Sequence, residues 1–230
     1  MDVMGFLVVD KPEGITSYDV IRRLKPLVPR KTKIGHSGTL DPFATGLMII
    51  AIGQAYTKQL GALTALDKHY NARIALGVTT DSYDCDGAVV AQWPDPIALS
   101  PERFREALAA FTGTITQAPP IFSAKKVNGK PAYALARKGQ VVELATQSVT
   151  LHRIDLVDYA TDWLDIGVHC SKGTYIRTLA HDIGAYLGVG GHLSRLQRVG
   201  IGGLSLDQAV ALADISADTL SQYVVPTLTI

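Results

Sequence analysis

Cysteine is scarce in this chain of 230 residues: there are two, Cys85 and Cys170. Two thiols exclude a disulfide framework and are too few for a cysteine-based zinc motif. They read as reduced thiols, which points to a cytoplasmic protein. No apolar run approaches the roughly 20 residues of a membrane-spanning helix. The first residues, Met1-Asp2-Val3-Met4-Gly5, lack a basic start and an apolar stretch, so no signal peptide is expected. There is no G-x-x-x-x-G-K-[ST] loop for nucleotide phosphates and no G-x-G-x-x-G dinucleotide turn. The six histidines show no zinc-like spacing with cysteine. Excess charge is missing too: the net charge is +1, so any affinity for nucleic acid must come from local patches.

Those patches exist. Residues 22–33 hold six basic groups (Arg22, Arg23, Lys25, Arg30, Lys31, Lys33) and no acid. Residues 123–142 hold five (Lys125, Lys126, Lys130, Arg137, Lys138), again without an acid. A charge run by itself is a solvated face. Two of them in a near-neutral chain suggest an anionic polymer as partner.

Apolar residues make up 47 %, enough for a sizeable core. Phe6 to Asp10 reads as a first strand, and Ser17 as the cap of a helix running to about Leu24. The run Leu47 to Ile52 reads as a buried strand, and a helix is expected over about 56–65. Tyr70, Ala72, Ile74 and Leu76 fall on one face of a strand over 70–77. Asp86-Gly87 marks a turn before a strand over 88–91. Ser100-Pro101 opens a helix whose stripe is Phe104, Leu108 and Phe111. A strand at 114–117 leads into an irregular loop over 118–129 and a short helix from Pro131 to Gly139. Strands follow around 141–144, 148–158 and 163–170. Thr174 caps a helix carrying Ile176, Leu179, Ile183 and Leu187, and Ser205 to Gln208 is a capping box opening a last helix. Strands outnumber helices and short turns join many of them, which predicts a largely antiparallel α+β fold. With no linker or repeat, 1–230 reads as a single domain.

The segment Lys33-Ile34-Gly35-His36-Ser37-Gly38-Thr39-Leu40-Asp41-Pro42-Phe43-Ala44-Thr45-Gly46 carries the most chemistry. Its glycines allow close approach and unusual turns. Pro42 holds Asp41 out of helical conformation. One carboxylate in a rigid loop ahead of a core strand suits catalysis, although an Asp that caps turn amides is the competing reading. Gly35 to Thr39 departs from a nucleophile elbow at its fifth residue, which argues against a serine hydrolase built on Ser37. An aspartate becomes an effective nucleophile or base when water is excluded and a cation holds it ionised. Arg177 stands at the start of a predicted helix, where a cation opposes the helix dipole. It therefore needs a partner, whether a functional one or a routine surface salt bridge. Tyr70 fits either a core position or a base-stacking platform. Leu196 reads as core.

Taken together these segments resemble the TruB family of tRNA pseudouridine-55 synthases, from about residue 5 to 210. Asp10 to Ser17 is similar to the family's K-P-x-G-x-T-S opening, and Gly35 to Gly46 to its G-H-x-G-x-L-D-P-x-A-x-G loop. Lys68-His69-Tyr70, with Thr80-Asp81 and Asp84-Cys85-Asp86-Gly87, resembles the next block. Pro119 to Gly129 resembles the P-P-x-Y-S-A-x-K-x-x-G insert, with Phe122 in place of the usual tyrosine. Gly173 to Arg177 and Leu196-Gln197-Arg198 fill the last two.

The resemblance implies the pseudouridine synthase fold, an α+β fold with a mixed, mostly antiparallel central sheet and flanking helices and loops around a catalytic cleft. It implies isomerisation of one uridine in the tRNA T-loop to pseudouridine, without metal or cofactor and without an obligatory protein partner. It implies that Asp41 is the catalytic carboxylate, by covalent attack or by removal of the C2′ proton. It further implies that Arg177 pairs with that aspartate and that Tyr70 stacks on the target base. Leu196 would form an apolar floor, His36 would fill the space left by the flipped base, and Lys11 belongs to the substrate-binding set. The basic stretches, with Arg22, Arg23, Lys33, Lys125 and Lys126, would grip RNA phosphates, and 118–140 would form an RNA-binding insert. Residues 211–230 are too few for the PUA-type domain that relatives carry, so none is expected. Two alternatives stay open: an RNA-binding or tRNA-folding protein with minor catalysis, and a guide-RNA-dependent synthase of the Cbf5 type.

Overall fold

The computed structural model describes residues 3–93, 99–122, 126–127, 130–131 and 144–230. Contacts divide the chain into two units, Met1–Tyr70 with Leu196–Ile230, and Asn71–Arg195.

The first unit begins with strand β1 (Gly5–Lys11) and helix α1 (Ser17–Leu24). Strands β2 (Ile34–His36) and β3 (Thr45–Ile52) follow. The unit also contains the start of β4 (Lys68–Leu76) and the end of β12 (Gly191–Ile201). Strands β13 (Leu204–Ser205) and β14 (Val210–Ala211) complete it. Its strand order is β14-β1-β3-β12, with β2 added to β3 and β13 to β12. The β1–β3, β2–β3 and β12–β13 pairs are antiparallel, whereas β1–β14 and β12–β3 are parallel. The uninterrupted apolar run of β3 is explained by this setting: every residue from Gly46 to Ile52 is buried. Phe6, Val8, Leu47, Ile49, Ala51, Leu63, Ile201 and Leu204 form the core.

The second unit contains the rest of β4, β5 (Val78–Thr80), β6 (Val89–Gln92), helix α4 (Pro101–Phe111) and β7 (Gly113–Gln117). The two-residue strands Lys126–Val127 and Lys130–Pro131 pair with each other as β8 and β9. Then come β10 (Gln147–Tyr159), β11 (Trp163–Cys170), helix α5 (Ile176–Leu187) and the start of β12. The order is β4-β11-β10-β7, and the β11–β10 and β10–β7 pairs are antiparallel. Along β11 the buried residues alternate (Leu164, Ile166, Val168, Cys170), as expected of a sheet with one covered face. Phe104, Ala107 and Leu108 of α4 are buried, as are Leu179, Ala180 and Ile183 of α5.

The α+β expectation therefore holds, and most of the strand readings with it. Several details differ. Thr16, not Ser17, caps α1: its side chain accepts from Asp19 N–H, and Asp19 bonds back to Thr16 N–H. Ser17 faces inward instead. The helix expected over 56–65 is two short ones, α2 (Gln54–Thr57) and α3 (Leu60–Ala65). Tyr175 occupies the cap position of α5, while the Thr174 hydroxyl donates to Ser171 O at 2.9 Å. Phe111 is half-buried, edge-on to Tyr186, and Ala107 takes its place in the stripe. The Ser205 capping box is present but opens only a three-residue 3₁₀ turn. Pro131 lies in β9; the rest of the helix expected to Gly139 falls outside the described residues, as does most of the strand expected over 141–144.

Gly46 joins the candidate catalytic loop to β3 at φ +106°, and an added Cβ would sit 2.3 Å from the carbonyl oxygen of Arg198 on β12. Gly46→Ala is therefore expected to cost at least about 1–3 kcal/mol through the backbone conformation alone. Urea unfolding reads this as a lower midpoint at unchanged m; an unchanged midpoint would show that β12 does not press on the loop.

Candidate functional site

In the first unit the site is built around residues 37–44, the turn between β2 and β3. Ser17 on α1 is buried, and its hydroxyl accepts from Leu40 N–H at 2.8 Å and donates to Leu40 O at 3.0 Å. That double bond pins the residue before Asp41. On the other side of Asp41, Pro42 O accepts from Gly14 N–H at 2.9 Å and from the Lys11 ammonium at 3.2 Å. Ala44 N–H closes the turn on Asp41 O at 3.1 Å. Asp41 is thus half-buried on a backbone fixed at both neighbours. Such fixation aims a reacting group before substrate arrives.

Lys11 is 0 % exposed, an unusual place for an ammonium. Three carbonyls satisfy it: Pro12 O at 2.9 Å, Ile15 O at 2.7 Å and Pro42 O at 3.2 Å. Burial is the largest influence and lowers its pKa from 10.5 to about 8, with Asp41 and Glu13 pulling it back up. Because the folded value lies below the unfolded one, the unfolded chain holds more protons between about pH 8 and 10.5. The contribution of Lys11 to stability therefore rises with pH through that window. NMR titration of the Lys11 ε-methylene is expected to give a midpoint at about 8. An ordinary lysine value would contradict the buried placement.

Arg198, on β12, is also buried; its Nε donates to Leu47 O at 2.7 Å and its Nη2 to Gly38 O at 3.3 Å. A cation thereby braces the loop from the β3 side. His36 ends β2 half-buried. Burial lowers its pKa, with a contact to the Gly38 backbone working the other way, so the neutral imidazole is favoured. Among the described residues, neither its Nδ1 nor the buried Ser37 hydroxyl has a hydrogen-bond partner. Leu196 is buried on β12, one residue before the Gln197–Thr45 pairing that brings this strand alongside the end of the loop. Tyr70 is half-buried near the start of β4. In the first unit Lys11 and His36 thus end β1 and β2, Asp41 sits on the loop between β2 and β3, and Leu196 lies within β12.

Arg177 belongs to the second unit, in the first turn of α5, and is buried. Its Nη1 pairs with Asp84 Oδ2 at 3.2 Å and lies 3.4 Å from Ser82 O; its Nη2 donates to Phe122 O at 3.0 Å. Asp84, equally buried, also accepts from the Ser82 hydroxyl at 2.5 Å and from Asp86 N–H at 3.1 Å. The cation at a helix start therefore does have a carboxylate in its own unit, and the pair is buried rather than a surface salt bridge. Phe122 contributes through its backbone carbonyl, a contact that does not depend on a side-chain hydroxyl at that position. Between Ser82 and Asp84, Tyr83 has φ +64°, a conformation non-glycine residues rarely adopt. Its ring packs on His181, one turn beyond Arg177, at 4.0 Å between centroids. Burial lowers the His181 pKa.

Sequence reasoning assigned no site role to Asp84 or Arg198 and read Ser17 only as a helix cap. Asp84 belongs to the segment Asp84-Cys85-Asp86-Gly87, and its signal is the Ser-x-Asp turn ahead of Asp86-Gly87. Of the expected phosphate-gripping groups, Arg22 pairs with Asp19 at 2.5 Å and lies over the Tyr18 ring, whereas Arg23 and Lys33 are exposed. Lys125 and the Lys126 side chain lie outside the described residues. No described helix is long and apolar enough to cross a membrane.

The match to known proteins follows the same segments. The model of the TruB family pseudouridylate synthase N-terminal domain matches residues 25–176. That of the tRNA pseudouridylate synthase B C-terminal domain matches 177–226. The chain belongs to the TruB family of pseudouridylate synthases. It is 46 % identical over 215 residues to the tRNA pseudouridine synthase B of Aromatoleum aromaticum, covering 94 % of this chain and 68 % of that protein. To the Chlamydia abortus protein of the same name it is 45 % identical over 221 residues, covering 95 % and 92 %. Among solved structures, a chain of a Cbf5-Nop10-Gar1 complex superposes with a TM-score of 0.70 at 26 % identity, over 94 % of this chain and 54 % of that one. This chain thus spans about half the length of that structural relative.

Proposed function

We propose that this protein isomerises uridine 55 in the T-loop of tRNA to pseudouridine, with Asp41 as the catalytic carboxylate. The observation that carries the reading is the double fixation of the Asp41 loop, by Ser17 on Leu40 and by Lys11 and Gly14 on Pro42. An isomerisation that breaks an N1–C1′ bond, makes a C5–C1′ bond, releases the C5 proton to solvent and protonates N1 is redox-neutral and needs no co-substrate. It needs one well-aimed carboxylate and an everted base. Eversion costs a few kcal/mol, of which an aromatic platform recovers roughly 1–3 kcal/mol. Tyr70 and Leu196 are proposed to hold the base, His36 to occupy the space it leaves, and Lys11 and Arg177 to complete the substrate-binding set. The whole of 1–230 is proposed to act as one catalytic domain, in the cytoplasm, on the T-stem-loop.

Relatives at 45–48 % identity named tRNA pseudouridine synthase B support a stand-alone enzyme over a guide-dependent one. Tritium release from an unmodified T-stem-loop labelled at uridine C5 tests this with purified protein. Release without any guide RNA is expected. Release only after a guide RNA is added would favour the Cbf5-type alternative, and tight binding with no release under either condition would favour a tRNA-folding protein.

A further inference from the structure

On the first unit, an open pocket of ≈ 430 Å³ lies between the end of α1 and β2. Lys25, Arg30, Lys31 and Lys33 line it, together with Tyr18, and no Asp or Glu does. Among the described residues none of these four cations has a carboxylate within ion-pair distance. Asp19, the acid nearest to Lys25 along the chain, is already taken by Arg22 and by the Thr16 cap. Four like charges around one concavity repel one another, so the arrangement is at its most favourable when an anion fills it.

The frame around it is rigid. Lys25 caps the C-terminal end of α1, where a cation suits the helix dipole. Pro29 O accepts from Thr32 N–H at 2.9 Å, which closes a turn with Arg30 and Lys31 at its two central positions. Lys33 O accepts from Gly53 N–H at 2.7 Å, and β2 then pairs with β3, so the chain carrying Lys33 is fixed to the core strand. Gly35 also lines the pocket, and a Cβ added there would meet Leu60 Cδ1 at 2.6 Å. Three residues downstream of Lys33, β2 ends in His36 and the chain turns into the Asp41 loop.

We propose that this pocket binds one phosphodiester group of the substrate RNA backbone, with Lys25, Arg30, Lys31 and Lys33 as its ligands and Tyr18 as the wall beside the adjoining sugar. The site is distinct from the base-binding residues and reads no sequence; it fixes where the strand crosses the β2 edge. The inference rests on the proposed tRNA activity and narrows it to one anchoring point.

The test is the salt dependence of binding to an unmodified T-stem-loop. Each neutralised phosphate contributes about 0.7–0.9 to the slope of log K against log[salt]. Arg30→Gln with Lys31→Gln, which removes the contact to this one phosphate, is expected to lower the slope by about 0.7–0.9. Arg30→Lys with Lys31→Arg should restore it. Arg105→Gln, an equal loss of charge per site on exposed α4, should leave it unchanged. A slope identical to wild type in the double glutamine variant overturns the pocket. So does a variant that weakens binding of inorganic phosphate but leaves the RNA slope untouched, which would assign the site to a free anion. Turnover by the wild-type chain is read separately. Turnover with an unchanged slope removes the pocket alone; a lowered slope without turnover keeps the pocket and removes the isomerase reading.

Discussion

Replacing Asp41 by asparagine is expected to abolish pseudouridine formation while leaving tRNA binding intact. The amide keeps the size of the side chain and can keep any hydrogen bond it accepts, and backbone hydrogen bonds at Leu40, Pro42 and Ala44 hold the loop, so it should stay in place. What the amide cannot do at neutral pH is attack C1′ or remove a proton from C2′. Proton transfer by a positioned group is worth about 10²–10⁴-fold on its own, and a lost nucleophile costs more. Single-turnover rates should therefore fall by at least about 10²-fold, with the affinity for a T-stem-loop retained. A fall in affinity with the rate at saturation unchanged would make Asp41 a binding residue and reverse the assignment.

The second large effect is expected at the buried Arg177–Asp84 pair. Both side chains are removed from solvent, and the guanidinium spreads its donors over Asp84, Ser82 O and Phe122 O. Removing one partner of such a pair leaves an uncompensated buried charge, which typically costs about 3–5 kcal/mol. Asp84→Ala should lose stability on that scale. Arg177→Lys keeps the charge but loses the planar fork, because an ammonium cannot reach two carbonyls and a carboxylate from one plane. It should retain most of the stability and lose most of the turnover. Urea unfolding and single-turnover assays on the two variants together separate the effects. Asp84→Ala with native stability would show that the pair is not the constraint on the start of α5; Arg177→Lys with native turnover would show that the fork has no part in the chemistry.

Much of this was legible in the chain before folding. The apolar run of 47–52 read as a buried strand, which β3 is, and a strand was expected over 163–170, where β11 lies. Ser100-Pro101 announced α4 in two residues. The Asp41 loop was visible because glycine, proline and a carboxylate crowd together there. The partners of the loop were not. Lys11 and Arg198 look like surface cations to any hydropathy pattern. They are buried because backbone carbonyls from residues 12, 15 and 42, and from 38 and 47, converge on them, and such convergence is a property of the fold. Strand β12 was missed for a related reason. Its buried set includes Gly191, Leu193, Leu196, Arg198 and Gly200, a pattern in which two glycines and an arginine stand where a strand signal needs apolar residues. Ser17 carried a true signal, a hydroxyl at a helix start, but Thr16 competes for the same cap and wins it. Ser17 is thereby left to hold Leu40.

The most direct test of the account uses the purified wild-type chain alone on an unmodified tRNA transcript, with carbodiimide labelling and primer extension to locate pseudouridine. A single new stop at the T-loop uridine, absent with Asp41→Asn, is the expected result. No stop at that uridine, or one of equal strength with Asp41→Asn, would contradict it.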